Sequence, residues 1–189
     1  MDDDLLFDLV DGEVTAAPAA TASGPLVIAA TDGSARPNPG TAAGAWYVSP
    51  DCWSAVAVEG TSTNNVGELI AMRSLLEAVP ADRPLHIVYD STYAFNCVTT
   101  WVKGWSRGGR LAPDAWLTKD RKPVKNADLI AATHDLLAGR TVTWSKVKSH
   151  TTLTTVEHRL NREADSRASA VVAAVTAGRQ PELGPGWTA

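Results

Sequence analysis

The apolar residues change their period at Asn65, and that change decides most of the topology open to this chain. Before it they run or alternate as strand residues do. Leu26–Thr31 is a short apolar run, and Gly44–Val48 and Trp53–Glu59 follow, joined by the turn signal Ser49-Pro50-Asp51. These segments predict a three-stranded antiparallel meander. After it, Leu69, Met72, Leu76 and Val79 recur at helical spacing until Pro80 ends the pattern. Leu85–Tyr89 is a further strand, and Val98, Trp101 and Trp105 mark a second helical region. Leu129, Thr133 and Leu136 mark a third helix, and Thr141–Val147 alternates as a strand. Leu160, Ala164, Ala168, Val171 and Val175 give a last helix, stopped by Gly178. The predicted order is βββ-α-β-α-α-β-α, an α/β fold. A helix-bearing crossover joins the first strand to Leu85–Tyr89. If the two are parallel neighbours they lie about 4.8 Å apart, which brings Asp32 and Asp90 close together.

Length and charge narrow the classes further. With 189 residues, 44% of them apolar, the chain suits one domain with its own core and needs no disulfide to hold it. Residues 1–24 are expected as a solvated arm, 25–178 as the folded domain and 179–189 as a C-terminal tail. Cys52 and Cys97 fall in apolar patterns without metal-site spacing, and are expected as buried hydrophobes of a reducing cytoplasm. No run of 18 or more apolar residues is present, and the start lacks the features of a signal peptide. A cytoplasmic monomer with no membrane contact and no obligate protein partner is the expectation. The net charge is −4, but residues 1–24 hold six acids and no base, leaving +2 for the remainder. Residues 101–125 carry seven basic side chains against Asp114 and Asp120. Such asymmetry points to a polyanionic partner.

Four carboxylates are candidates for chemistry, and each also has an ordinary structural explanation. Asp32 stands in Thr31-Asp32-Gly33-Ser34, where Asp-Gly reads as a turn. Asp90 follows a strand and precedes a helix, as an N-cap does. Glu68 lies three residues after Asn65, a capping-box spacing, yet it shares a helix face with Met72 and Leu75. Asp165 borders an apolar stripe and can pair with Arg162 at the surface. Taken together, the topology draws all four towards one end of the sheet. Like charges at that range raise one another's pKa unless a cation intervenes. A ligand set of oxygens alone suits Mg²⁺, with Mn²⁺ as a substitute, rather than zinc.

The surrounding segments carry a family resemblance. Thr31-Asp32-Gly33-Ser34 with Asn38-Pro39-Gly40 resembles the opening motif of ribonuclease H, type I, the family of bacterial ribonuclease HI. Thr63-Asn64-Asn65-Val66-Gly67-Glu68-Leu69 is similar to its second motif and Tyr89-Asp90-Ser91 to its third. Lys122-Pro123-Val124-Lys125-Asn126-Ala127-Asp128-Leu129 resembles the segment after the family's basic protrusion. Val147-Lys148-Ser149-His150 and Asn161-Arg162-Glu163-Ala164-Asp165 are similar to the last active-site segments. The likeness runs from about residue 26 to 175.

The resemblance implies a five-stranded mixed sheet flanked by helices, and a nuclease that cuts the RNA strand of RNA–DNA hybrids to leave 5′-phosphate and 3′-hydroxyl ends. It implies that Asp32, Glu68, Asp90 and Asp165 bind two Mg²⁺ ions, and that His150 assists proton transfer or product release, with His158 as its rival. His86 and His134 belong to their strand and helix. For the substrate, it implies that Asn64 and Asn65 read the minor groove, with Gly33 and Ser34 on the RNA side and Asn38 and Thr63 gripping a DNA phosphate. The excursion at 107–125 resembles the protrusion, with Lys122 and Lys125 facing phosphates and Trp101 and Trp105 anchoring its base. Three departures stand out: a longer, Thr-rich loop between His150 and Asn161, a longer protrusion, and Thr92 after Asp90-Ser91. The alternatives are DNA strand transfer or junction resolution on the same fold, and a hybrid-binding module without catalysis.

Overall fold

The computed structural model describes residues 23–149 and 151–188. Most of the acidic arm, and His150, lie outside the described residues. The chain forms β1 (Val27–Arg36), β2 (Gly40–Ser49), β3 (Cys52–Ser62), α1 (Asn64–Ala78) and β4 (Leu85–Tyr89). A helical stretch follows, made of α2 (Thr92–Asn96), a π-turn at Cys97–Trp101 and α3 (Val102–Trp105). The chain ends in α4 (Ala127–Asp135), β5 (Val142–Lys146) and α5 (Val156–Thr176).

The five strands form one mixed sheet in the order β3-β2-β1-β4-β5. β1, β2 and β3 pair antiparallel, as a meander does, whereas β4 runs parallel to both β1 and β5. The expected strand at 26–31 continues to Arg36. Asp32 and Gly33 pair with Ala45 and Gly44 of β2, so the Asp-Gly pair lies inside a strand and is not a turn. The chain reverses instead at Pro37-Asn38-Pro39.

Two layers of helix cover the sheet. On one face Ala30, Ala43, Ala45, Ala55 and Val88 meet Ala164, Ala168, Val171 and Val172 of α5. Small residues on both sides let the helix lie close to the strands. On the other face α1 buries Leu69, Met72, Leu75 and Leu76 completely, each contributing about 2 kcal/mol by removal from water. Ile87, Val98 and Ile130 continue that core under α2, α3 and α4. Cys52 and Cys97 are both buried free thiols within it.

The segment expected as a C-terminal tail lies along the outer edge of β3. The Ala55 amide donates to the Leu183 carbonyl at 2.9 Å and the Gly186 amide to the Trp53 carbonyl at 3.0 Å. Trp187 packs into the core beside α1, with the Arg83 guanidinium 5.9 Å from its ring centre. The sheet edge is thereby covered by the chain itself.

Among the described residues, no helix is long and apolar enough to cross a membrane.

Candidate active site

The site begins with register. Ala30 pairs with Val88 across the parallel β1–β4 ladder, so Asp32 and Asp90, two residues further on, leave the two strands at the same level. Asp90 does not cap the next helix. That role belongs to Ser91, whose hydroxyl accepts from the Ala94 amide at 3.2 Å. The Asp90 carboxylate is therefore left to the site.

Glu68 arrives from α1, and glycine contacts fix where that helix lies. A Cβ on Gly33 would overlap the Glu68 amide, and one on Gly67 would overlap the Ala43 carbonyl. Gly33, Gly44 and Gly67 thus let the first turns of α1 rest directly on β1 and β2. The helix is capped by Thr63, extended at φ −127° and accepting from the Val66 amide, and not by Asn65. This places Glu68 beyond the reach of a capping box and turns it inward.

The result is a tight acidic cluster. Carboxylate oxygens of Asp32, Glu68 and Asp90 lie within 4.8 Å of one another. Asp165, from α5, stands beside Asp32 and lines the same cleft. The cleft has a volume of about 460 Å³. Burial, and then the charges of Glu68, Asp90 and Asp165, push the Asp32 carboxyl far above the ordinary range. Glu68 is driven up by burial first and by Asp90 next, with the Gly33 amide pulling the other way. Glu68 Oε2 and Asp90 Oδ1 are buried without a hydrogen-bond partner among the described residues. Unpartnered buried carboxylate oxygens are costly, and a hard divalent cation satisfies several at once. Ion pairs do not: among the described residues the pairs are Arg73–Glu77 and Arg167–Glu163, and neither reaches the cluster.

The other expected site residues divide into three groups. Gly33, Ser34 and Asn64 line the cleft, and the Asn64 amide nitrogen reaches Glu68 Oε1 at 3.4 Å. Asn38 and Thr63 stand at its rim with their oxygens engaged, Asn38 Oδ1 by the Asn64 amide at 3.3 Å and Thr63 by the helix cap. Asn65 is exposed nearby. Trp101 and Trp105 in the helical stretch before the excursion, and Lys122 and Lys125 on it, lie apart from the cleft lining. There Trp116, which sequence reasoning overlooked, is the buried anchor. It is 3% exposed, donates to the Leu111 carbonyl at 2.9 Å and stacks obliquely on Trp105. Trp101, 42% exposed, packs edge-on to Tyr93 and tilted against Trp105.

His86 and His134 are held by Thr143 and by the Val98 carbonyl, at 2.8 and 2.7 Å, within their strand and helix. His158 bonds Thr155, the cap of α5, at 2.8 Å. Ser149, next to His150, lines the cleft. The alternative of a surface pair between Arg162 and Asp165 is not among the ion pairs of the described residues; Arg162 instead ties the Thr-rich loop to α5 through the Leu153 carbonyl at 2.7 Å.

Arg36 and Ser169 also line the cleft and were not foreseen, and Asn161, named only within its motif and given no role, lines it too. Asn161 is 6% exposed, with Oδ1 unpartnered among the described residues. Its signal was a polar residue one turn before Asp165, on the stripe of Ala164 and Ala168.

Residues 25–173 match the RNase H family model. A ribonuclease H of Tropheryma whipplei (strain Twist) is 38% identical over 163 residues, covering 86% of this chain and 94% of that protein. Ribonuclease HI of Streptomyces coelicolor is 41% identical over 147 residues, covering 75% of this chain and 59% of that longer protein. The crystal structure of LC9-RNase H1, 17% identical, superposes with a TM-score of 0.60 over 88% of this chain and 79% of that one, which speaks to fold alone.

Proposed function

The chain belongs to the ribonuclease H family, and on that footing we propose that it is an endonuclease hydrolysing the RNA strand of RNA–DNA hybrids. The reading extends to divalent-metal chemistry with 5′-phosphate and 3′-hydroxyl products. We assign residues 25–178 as the catalytic unit, with residues 1–24 as an appended arm. The observation that carries the reading is the approach of Asp32, Glu68 and Asp90 to within 4.8 Å of one another, with buried oxygens of Glu68 and Asp90 lacking partners among the described residues.

Asp32, Glu68, Asp90 and Asp165 would hold two Mg²⁺ ions, Mn²⁺ being an acceptable substitute. Such ions supply the positive charge that eases ionisation of the attacking water and offsets charge growing on the leaving oxygen. The chain's own residues do the remaining work. Asp32 and Asp90 come from paired strands and Glu68 from a helix locked by glycine contacts, so the cluster needs little reorganisation. Asn64, bonded to Glu68, stands where an amide can meet a 2′-hydroxyl at the mouth of the cleft, the group that separates RNA from DNA. Gly33 and Ser34 form the cleft wall on the RNA side, while Asn38, Thr63 and Asn65 present the first turn of α1 to the duplex. Trp101 with Trp105, and the exposed Lys122 and Lys125, would meet the DNA backbone without regard to sequence. His150 is assigned to proton transfer or product release.

The test is direct. Labelled RNA–DNA hybrid, duplex RNA, single-stranded RNA and duplex DNA are incubated with the protein in Mg²⁺ or EDTA. Only the RNA of the hybrid should be cut, and only with metal present. Cleavage of duplex DNA, or hybrid cleavage that persists in EDTA, contradicts the proposal, and hybrid binding without cleavage favours a binding module.

A further inference from the structure

Of the four acids, Asp165 alone depends on how a helix rests over the β1–β4 end of the sheet from the α5 side. Two residues of β1 and two of α5 face each other there. Asp32 and Ser34 point to one face of the strand, about 7 Å apart along it. Asp165 and Ser169 stand about 6 Å apart along the helix axis. Because the two spacings agree, both pairs meet together: Asp165 lies beside Asp32, and Ser169 Oγ is 3.3 Å from Ser34 Oγ.

Ser169 also donates to Asp165 Oδ1 at 3.4 Å. A hydroxyl has one proton to give, so with that of Ser169 directed to Asp165, Ser169 Oγ is left to accept from Ser34. The direction of the chain is thereby set, from β1 through two hydroxyls to the carboxylate. Ser34 is 7% exposed, and its hydroxyl meets that of Ser169. Asp165 is bound by neither ion pair formed among the described residues.

We infer that Ser169, held by Ser34, is a positioning residue for Asp165 and sets the affinity of the cation that Asp165 helps to hold. The inference rests on the metal-dependent reading above. A donor to one carboxylate oxygen fixes which lone pairs turn towards the ion. Loss of such a contact behind a metal ligand weakens metal binding by roughly ten- to a hundredfold.

Calorimetric titration of Mn²⁺ into the metal-stripped full chain tests this, with the Tm of each metal-free variant measured alongside. Ser169→Ala should weaken binding by about tenfold or more while leaving the metal-free Tm close to that of the parent. Ser169→Thr, which keeps the hydroxyl, should bind nearly as the parent does, and Ser34→Ala should weaken binding in the same direction but less. Unchanged affinity in Ser169→Ala overturns the inference, whether or not its Tm falls, and so does equal weakening in Ser169→Thr. If the parent itself takes up no Mn²⁺, the metal reading of the cleft fails along with the inference.

Discussion

Glu68 sits on the same helix face as Met72 and Leu75, which are fully buried, and is itself only 3% exposed. Each such apolar residue contributes about 2 kcal/mol, while an uncompensated buried carboxylate costs several. The hydrophobic face of α1 therefore holds in place a group that folding alone would reject. Asp32 is under the same pressure. Both carboxyls have folded-state pKa values raised above those of the unfolded chain, so the folded state binds more protons between the two values. Stability from these groups is full below the unfolded pKa, near 4, and is lost as pH rises towards the folded pKa. In EDTA, thermal melts between pH 5 and 8 should show Tm falling with pH. Asp32→Asn should flatten that slope, and saturating Mg²⁺ should remove most of it. A slope unchanged in Asp32→Asn would contradict the account. At this scale the sequence was legible in kind but not in place. Asp32, Asp90 and Glu68 each had a local explanation, and only the pairing of Asp32 with Ala45 and the caps at Ser91 and Thr63 excluded those explanations. Ser169 went unread, and Asn161 was given no role of its own, because a one-turn relation matters only once the sheet-facing side of α5 is known.

Elements were read best where large apolar residues mark the period. Leu69, Met72 and Leu76 announced α1, and Leu85–Tyr89 announced β4. Strand ends made of small residues went unseen, among them Gly40–Ala43 and Gly60–Ser62, because glycine and alanine carry no alternation. The segment along β3 was missed for a similar reason. Pro181, Gly184, Pro185 and Gly186 read as tail, yet their neighbours bond Trp53 and Ala55 and bury much of Trp187. An open strand edge invites pairing with another copy. Removing residues 182–189 should cost about 1–3 kcal/mol, lower Tm by roughly 5 °C and produce concentration-dependent self-association. Sedimentation velocity and thermal melts check this. A monomeric, fully stable truncated protein would show that the segment does not guard the edge. Initial rates on hybrid should hold at 25 °C, since neither β3 nor this segment lines the cleft.

Over the whole molecule, the order of elements allowed β1 and β4 to be parallel neighbours without requiring it, and the β1–β4 ladder makes them so. That single adjacency gathers the acids at one end of the sheet. The basic residues between 101 and 125 lie apart from the cleft, around a segment tied down by Trp116, so the proposed function assigns catalysis and backbone grip to different parts of the surface. Negative charge beside phosphates opposes binding and is tolerable only if it holds cations. The most direct measurement compares the parent with Asp90→Asn, recording hybrid cleavage in Mg²⁺ and hybrid affinity in the same buffer. The account predicts a cleavage rate reduced by at least about a thousandfold with affinity changed by no more than about threefold. Cleavage by Asp90→Asn within about tenfold of the parent would contradict it.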